Sequence, residues 1–254
     1  MGSTKVTRSQ SKKKADPLLP TSAEGKSGRC GACGRLVLTL IPMLGCSFIL
    51  VALYLLAYRP EVKITETSIS ECFANHDPKG EVLAGISVGA TLMSLASVMR
   101  NIQINVYHRR QRSESIAMKV LNFVAAIFNI SAYVGFIILA VNDVDGSDDE
   151  RRNHYVGAIL YFALGGLYGL LHTYLLCKQT QYPMFCKIVF TIISSASILS
   201  TIIYASNLNE NYAYEWFAVA LNAIYVGLMG LLFVADPVDD ELWEFFCCHR
   251  NQRK

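Results

Sequence analysis

The side chains in this sequence that could do chemistry are few, and most stand at the edges of apolar stretches. His154 and Glu215 each immediately precede such a stretch, so both would lie at a membrane boundary if the stretches cross lipid. If those ends meet, Glu215 would stabilise the charged form of His154 and create a group that responds to an acidic lumen. The competing expectation is that each simply marks a helix end at the interface. Asn122 and Asn129 are seven residues apart, hence on one helical face, and should point into a bundle. Interhelical hydrogen bonding worth about 1 kcal/mol each is the first reading, and a ligand role the second. Together with Trp216, these residues are the candidates for holding a lipid headgroup or partner helix, or for sensing pH.

Cys30-Gly-Ala-Cys33 has the spacing of zinc ligands, and Cys247-Cys248-His249 could complete a site. One such pair without a second well-spaced pair argues instead for reduced thiols, and Cys30, Cys33, Cys247 and Cys248 are expected S-acylation positions beside the membrane. The chain has no HExxH, GxSxG, Walker A or GxGxxG context, and its five histidines show no metal spacing. Catalytic residues, a bound metal and a cofactor are therefore not expected.

The elements that would carry these residues follow from composition. Of 254 residues, 52% are hydrophobic and 17% charged, more apolar surface than a soluble domain of this size buries. Aromatics at 11% argue against a disordered chain, and a net charge of +3 is too small to suggest a nucleic-acid partner. Six uncharged stretches, 36–58, 82–99, 120–141, 155–177, 188–206 and 216–235, approach or exceed the roughly 20 residues of helix that cross a hydrocarbon core. Backbone polar groups find no water in lipid, so the spans should be helices. The predicted fold is an all-α, six-span bundle over 36–236, preceded by a basic, disordered tail (1–35) and followed by a short tail (237–254). Small-residue pairs, Gly85 with Gly89, Gly165 with Gly169 and Ala223 with Gly227, predict close helix packing; no charged ring suggests a wide pore.

Six crossings put both termini on one side. The tails and the second and fourth loops hold 18 Lys and Arg against five in the other three loops, which predicts cytosolic termini. The opposite face holds twelve acidic residues, with a cluster from Asp143 to Glu150. The first stretch is too long for a cleaved signal and should remain as an anchor. Cys72 is the one thiol on the exoplasmic side, so it is either free or paired with another chain. Lys12-Lys13-Lys14 and Arg109-Arg110-x-Arg112 form a basic cytosolic face suited to anionic lipid, phosphoinositides included, or to protein partners. Asp16-Pro17-Leu18-Leu19 is similar to an acidic dileucine sorting signal.

Three motifs carry a resemblance: His154-Tyr-Val-Gly157-Ala158 continuing through Phe162-x-x-Gly165-Gly-x-Tyr168 to Thr173, Glu215-Trp216 opening the last span, and Asn129-Ile-Ser-Ala-Tyr-Val-Gly135. They resemble the damage-regulated autophagy modulator (DRAM) family and its wider superfamily, which includes TMEM150-type, FRAG-type and fungal Sfk-type proteins. The resemblance spans about residues 36–236. It implies a multi-pass regulator of lysosomal, endosomal or plasma membranes tied to autophagy and to phosphoinositide or GPI-lipid handling. A lipid or GPI-anchor remodelling factor and a small channel or transporter are the alternatives.

Overall fold

The computed structural model describes residues 28–75, 79–110, 115–142, 144–206 and 211–234. Among these the chain is helical apart from its connections. The elements are α1 (Gly28–Ala57), α2 (Ile69–Asn75), α3 (Lys79–Arg110), α4 (Ile116–Val141), α5 (Asp148–Ile159), a single π-helical turn (Leu160–Leu164), α6 (Gly165–Lys178), α7 (Met184–Ser206), α8 (Ala213–Gly227) and α9 (Met229–Val234). Six helical runs are long and apolar enough to cross a membrane: Gly34–Ala57, Gly80–Arg109, Ile116–Val141, Asp148–Lys178, Met184–Ser206 and Ala213–Val234. The chain is an all-α, multi-pass membrane protein.

Each span packs on its predecessor, α1 on α3, α3 on α4, α4 on the α5–α6 rod, α6 on α7 and α7 on α8, and the ring closes where α8 and α9 return to α1. Position in this ring decides burial. The last span is 61% buried over its most apolar window, whereas α7, held along one side, is 11% buried there. Ile188, Ile192, Leu199 and Ile202 of α7 consequently face outward, where lipid would cover them.

Glycines set the closest crossings. A Cβ on Gly157 of α5 would fall 2.6 Å from the Leu139 nitrogen and 2.7 Å from the Gly135 oxygen of α4. One on Gly89 of α3 would fall 2.6 Å from Ile49 Cγ1 and 2.9 Å from the Gly45 oxygen of α1. Backbone therefore meets backbone, the arrangement small residues permit in lipid. A Cβ on Gly227 would instead meet a side chain of α1, the Cys46 Cβ at 2.6 Å, while Gly85 has Ala52 at an ordinary 3.4 Å.

Helices outrun the apolar stretches that predict them, most of all α1, α3 and the fourth rod. Helix α1 starts at Gly28, inside the stretch expected as a disordered tail, so Cys30 and Cys33 lie on helical backbone. Helix α3 runs to Arg110 instead of stopping at Met99, which turns Arg100 from a loop residue into a helical one. Apolarity records where lipid lies; the helix continues wherever neighbouring elements give its polar side chains partners. The fourth rod likewise starts at Asp148, where Ser147 and Glu150 form a reciprocal capping box. That places His154 in the second helical turn. Cys247, Cys248, His249, the tail motifs and Arg112 lie outside the described residues.

Candidate functional site

The short helix α2 is what assembles the first polar cluster. Its own capping box, Ser68 accepting from the Glu71 N–H at 3.0 Å and Glu71 accepting from the Ser68 N–H at 2.9 Å, sets the first turn. That turn presents Ile69 N–H and the Ser70 hydroxyl to Glu215, whose carboxylate oxygens lie 3.2 and 3.3 Å away. Ser70 Oγ is also 2.9 Å from Nε2 of His154. Nδ1 of His154 faces the carbonyl oxygens of Leu139 (3.1 Å) and Asn142 (2.9 Å). Both are acceptors, so Nδ1 carries a proton and donates.

The sequence candidates His154 and Glu215 are thus joined, through a serine that sequence reasoning passed over. Ser70 has one proton to give. If it goes to the Glu215 carboxylate, His154 Nε2 must donate to Ser70 and the imidazole is charged; if it goes to His154, a protonated Glu215 completes the chain by donating to Ser70. Trp216 adds a tie beside them, its indole N–H donating to the Thr67 oxygen at 3.0 Å. His154, Glu215, Ser70 and Trp216 are all buried, with Glu215 at 1% exposure. The cluster staples the connection after α1 to three helix ends.

Cys72 lies on the same short helix and is fully enclosed, with a free thiol. Burial, reinforced by the carboxylates of Glu215 and Glu71, pushes its pKa up to about 12. Of the two alternatives open for Cys72, free or paired with another chain, this enclosure favours the free thiol, since a partner thiol has no open route to it.

Asn122 and Asn129 point into the bundle. Asn129 donates to Ser97 Oγ of α3, and Ser97 passes its proton to the Met93 oxygen at 3.0 Å. Asn122 donates to the Asn101 carbonyl at 2.9 Å and to Asn105 Oδ1 at 3.1 Å. These bonds join α3 to α4.

The opposite end of the bundle holds a second cluster, around Arg100. Its guanidinium reaches His172 Nε2 (3.1 Å), Gln103, the Tyr182 hydroxyl (3.0 Å) and Gln179 Oε1 (3.1 Å). Because Arg100 only donates, His172 Nε2 must accept, which fixes that ring as the neutral Nδ1–H tautomer donating to Tyr225 OH at 2.8 Å. Tyr225 in turn donates to the Gly169 oxygen at 3.2 Å. Sequence reasoning missed both members: Arg100 stands one residue past an apolar stretch, and His172, the one histidine inside such a stretch, was the available signal.

The packing glycines of the fourth span line a cavity of about 10 Å³ with Ser194, Asn222 and Tyr225. A Cβ on Gly165 would meet Asn222 Nδ2 at 2.6 Å, and one on Gly169 would meet Ser194 Oγ at 2.7 Å. Their missing side chains make room for polar groups of neighbouring helices. No group of three or more His, Cys, Asp or Glu residues among the described residues could hold a metal ion.

Residues 35–233 match the family model described as the Frag1/DRAM/Sfk1/Cwh43P N-terminal domain. No curated protein and no solved structure matches the chain.

Proposed function

Because the chain belongs to the Frag1/DRAM/Sfk1/Cwh43 family, which its model follows through all six spans, we propose that it is a membrane-embedded regulator of autophagy. It acts by recruiting protein partners and through phosphoinositide or other lipid-linked signalling, with no catalytic centre of its own. In this reading it resides in lysosomal, endosomal or plasma membranes with both termini cytosolic. The basic face formed by Lys12, Lys13, Lys14, Arg109, Arg110 and Arg112 attracts anionic lipid, at about 1 kcal/mol per basic residue close to the surface.

One observation carries this reading: Arg100 with His172, Asn122 with Asn101 and His172 with Tyr225 join neighbouring helices inside the bundle, and the cavities beside them hold about 10 Å³ each, space for roughly one water. Such an interior favours a scaffold that works through its surfaces over a channel or transporter. Cells lacking the protein, re-expressing either the wild-type chain or one with the six basic residues changed to Gln, test it. Autophagic flux is expected to recover with wild type and to fail with the variant. Full rescue by the variant removes the basic face from the mechanism.

The cluster of His154, Ser70 and Glu215 on the acid-rich side serves in this account as a pH-responsive clasp. Titrating His154 by NMR in wild type and in Glu215→Gln tests the link, and identical curves contradict it. A second reading, lipid or GPI-anchor remodelling, draws support from a hydroxyl standing 2.9 Å from an imidazole whose other nitrogen is held by carbonyls. Purified protein with a labelled lipid should then release a product that His154→Ala abolishes; absence of turnover eliminates this reading.

A further inference from the structure

Arg100 is 1% exposed, yet every side chain its guanidinium bonds is neutral: His172, Gln103, Tyr182 and Gln179. Among the described residues it forms no ion pair with a carboxylate. A guanidinium stays protonated throughout the range in which proteins fold. Among the described residues a full positive charge is therefore enclosed with hydrogen-bond partners but no opposite charge, a state proteins normally avoid. Its four contacts use four of its five N–H groups, leaving one on Nη2.

The neighbouring amides add a second donor. Asn122 donates to Asn105 Oδ1 at 3.1 Å, and Asn105 donates to Asn101 Oδ1 at 3.2 Å. All three asparagines are thereby oriented in one sense, and the series ends on Asn101 Nδ2, which is buried and has no hydrogen-bond partner. Arg100, Asn101 and Asn122 together line a cavity between α3, α4 and α6, closed by Ser97, Tyr168 and His172. It offers about 10 Å³, which suits one particle near the size of a water molecule and excludes a carboxylate or a phosphate.

We propose that this cavity binds a single small inorganic anion, chloride under cellular conditions. The unused hydrogen-bonding capacity of Arg100 and Asn101 is donor capacity, which an ion that only accepts can satisfy. The same ion supplies the negative charge that Arg100 lacks among the described residues. Bound there, it ties α3, α4 and α6 together next to the His172–Tyr225 pair, so the anion stabilises the fold at this end of the bundle.

Thermal unfolding of the full-length protein in detergent, in sodium chloride, bromide or gluconate at one ionic strength, tests the proposal. Chloride and bromide should raise the melting temperature over gluconate, and the rise should saturate with concentration, as stabilisation by a bound ligand does. Asn101→Leu should weaken the apparent halide affinity at least about tenfold, and Arg100→Gln should abolish the halide effect. Should Arg100→Gln fail to fold, Asn101→Leu and crystals grown in bromide decide: an anomalous peak beside Arg100 is expected. Equal melting temperatures in halide and gluconate, a halide effect untouched by Asn101→Leu, or water alone in the cavity would each overturn the proposal.

Discussion

Glu215 and Ser70 show how a polar residue survives inside an apolar bundle, by giving each buried donor an acceptor. Glu215→Ala would leave Ile69 N–H without its acceptor, at about 1–3 kcal/mol, and would leave Ser70 bonded to His154 alone. We expect a lower melting temperature in detergent for Glu215→Ala and a smaller loss for Glu215→Gln, which keeps one amide oxygen in place. Equal losses would mean that the amide oxygen of Gln does not replace the carboxylate as an acceptor there. Cys72 makes a separate prediction. With its pKa pushed up to about 12, the reactive thiolate is scarce at neutral pH, on the order of one molecule in 10,000 or fewer. Mass spectrometry after maleimide treatment should find Cys72 unmodified in the folded protein and modified once it is unfolded; modification of the folded form would show that α2 detaches from the bundle. His154, Glu215, Asn122 and Asn129 are legible in the sequence because a polar group beside or within an apolar run must find a partner. Ser70 is not, because a serine in a polar connection looks like its neighbours until a fold brings a histidine and a carboxylate to it.

Helix crossings explain why the glycines stand where they do, and which of them tolerate a side chain. Gly157→Ala places its Cβ 2.6 and 2.7 Å from the α4 backbone, which cannot yield as a flexible side chain would. It should cost about 1–3 kcal/mol, the usual range for overpacking. Gly80→Ala, with nothing within 4 Å, should leave the melting temperature unchanged or slightly raised. Thermal unfolding of the two variants side by side checks this, and equal effects would contradict the crossing described for α4 and α5. The sequence does show that Gly85, Gly89, Gly165 and Gly169 form small-residue ridges. It does not show that Gly135 and Gly157 oppose each other, because opposition depends on how two distant helices cross. Element ends are less legible still. Arg100 halts the apolar run, whereas α3 continues for ten more residues because Gln103, Gln179, Tyr182 and His172 receive its charge.

At the scale of the whole molecule, six spans in chain order close into a ring whose first and last members touch. The number of crossings is readable because apolarity and length are set by the bilayer, and the basic residues are divided unequally between the two faces. The account of function depends on that division, since the proposed recruiting surface exists only if the lysine-rich tail lies in the cytosol. The most direct test is epitope access in cells, with one tag at each terminus and, in a third version, a tag between Val144 and Ser147. When only the plasma membrane is permeabilised, antibody should reach both terminal tags. The loop tag should be reached from outside the intact cell, or only after internal membranes are dissolved. Terminal tags that stain from the exterior, or stay hidden while the loop tag is exposed to the cytosol, would contradict the account.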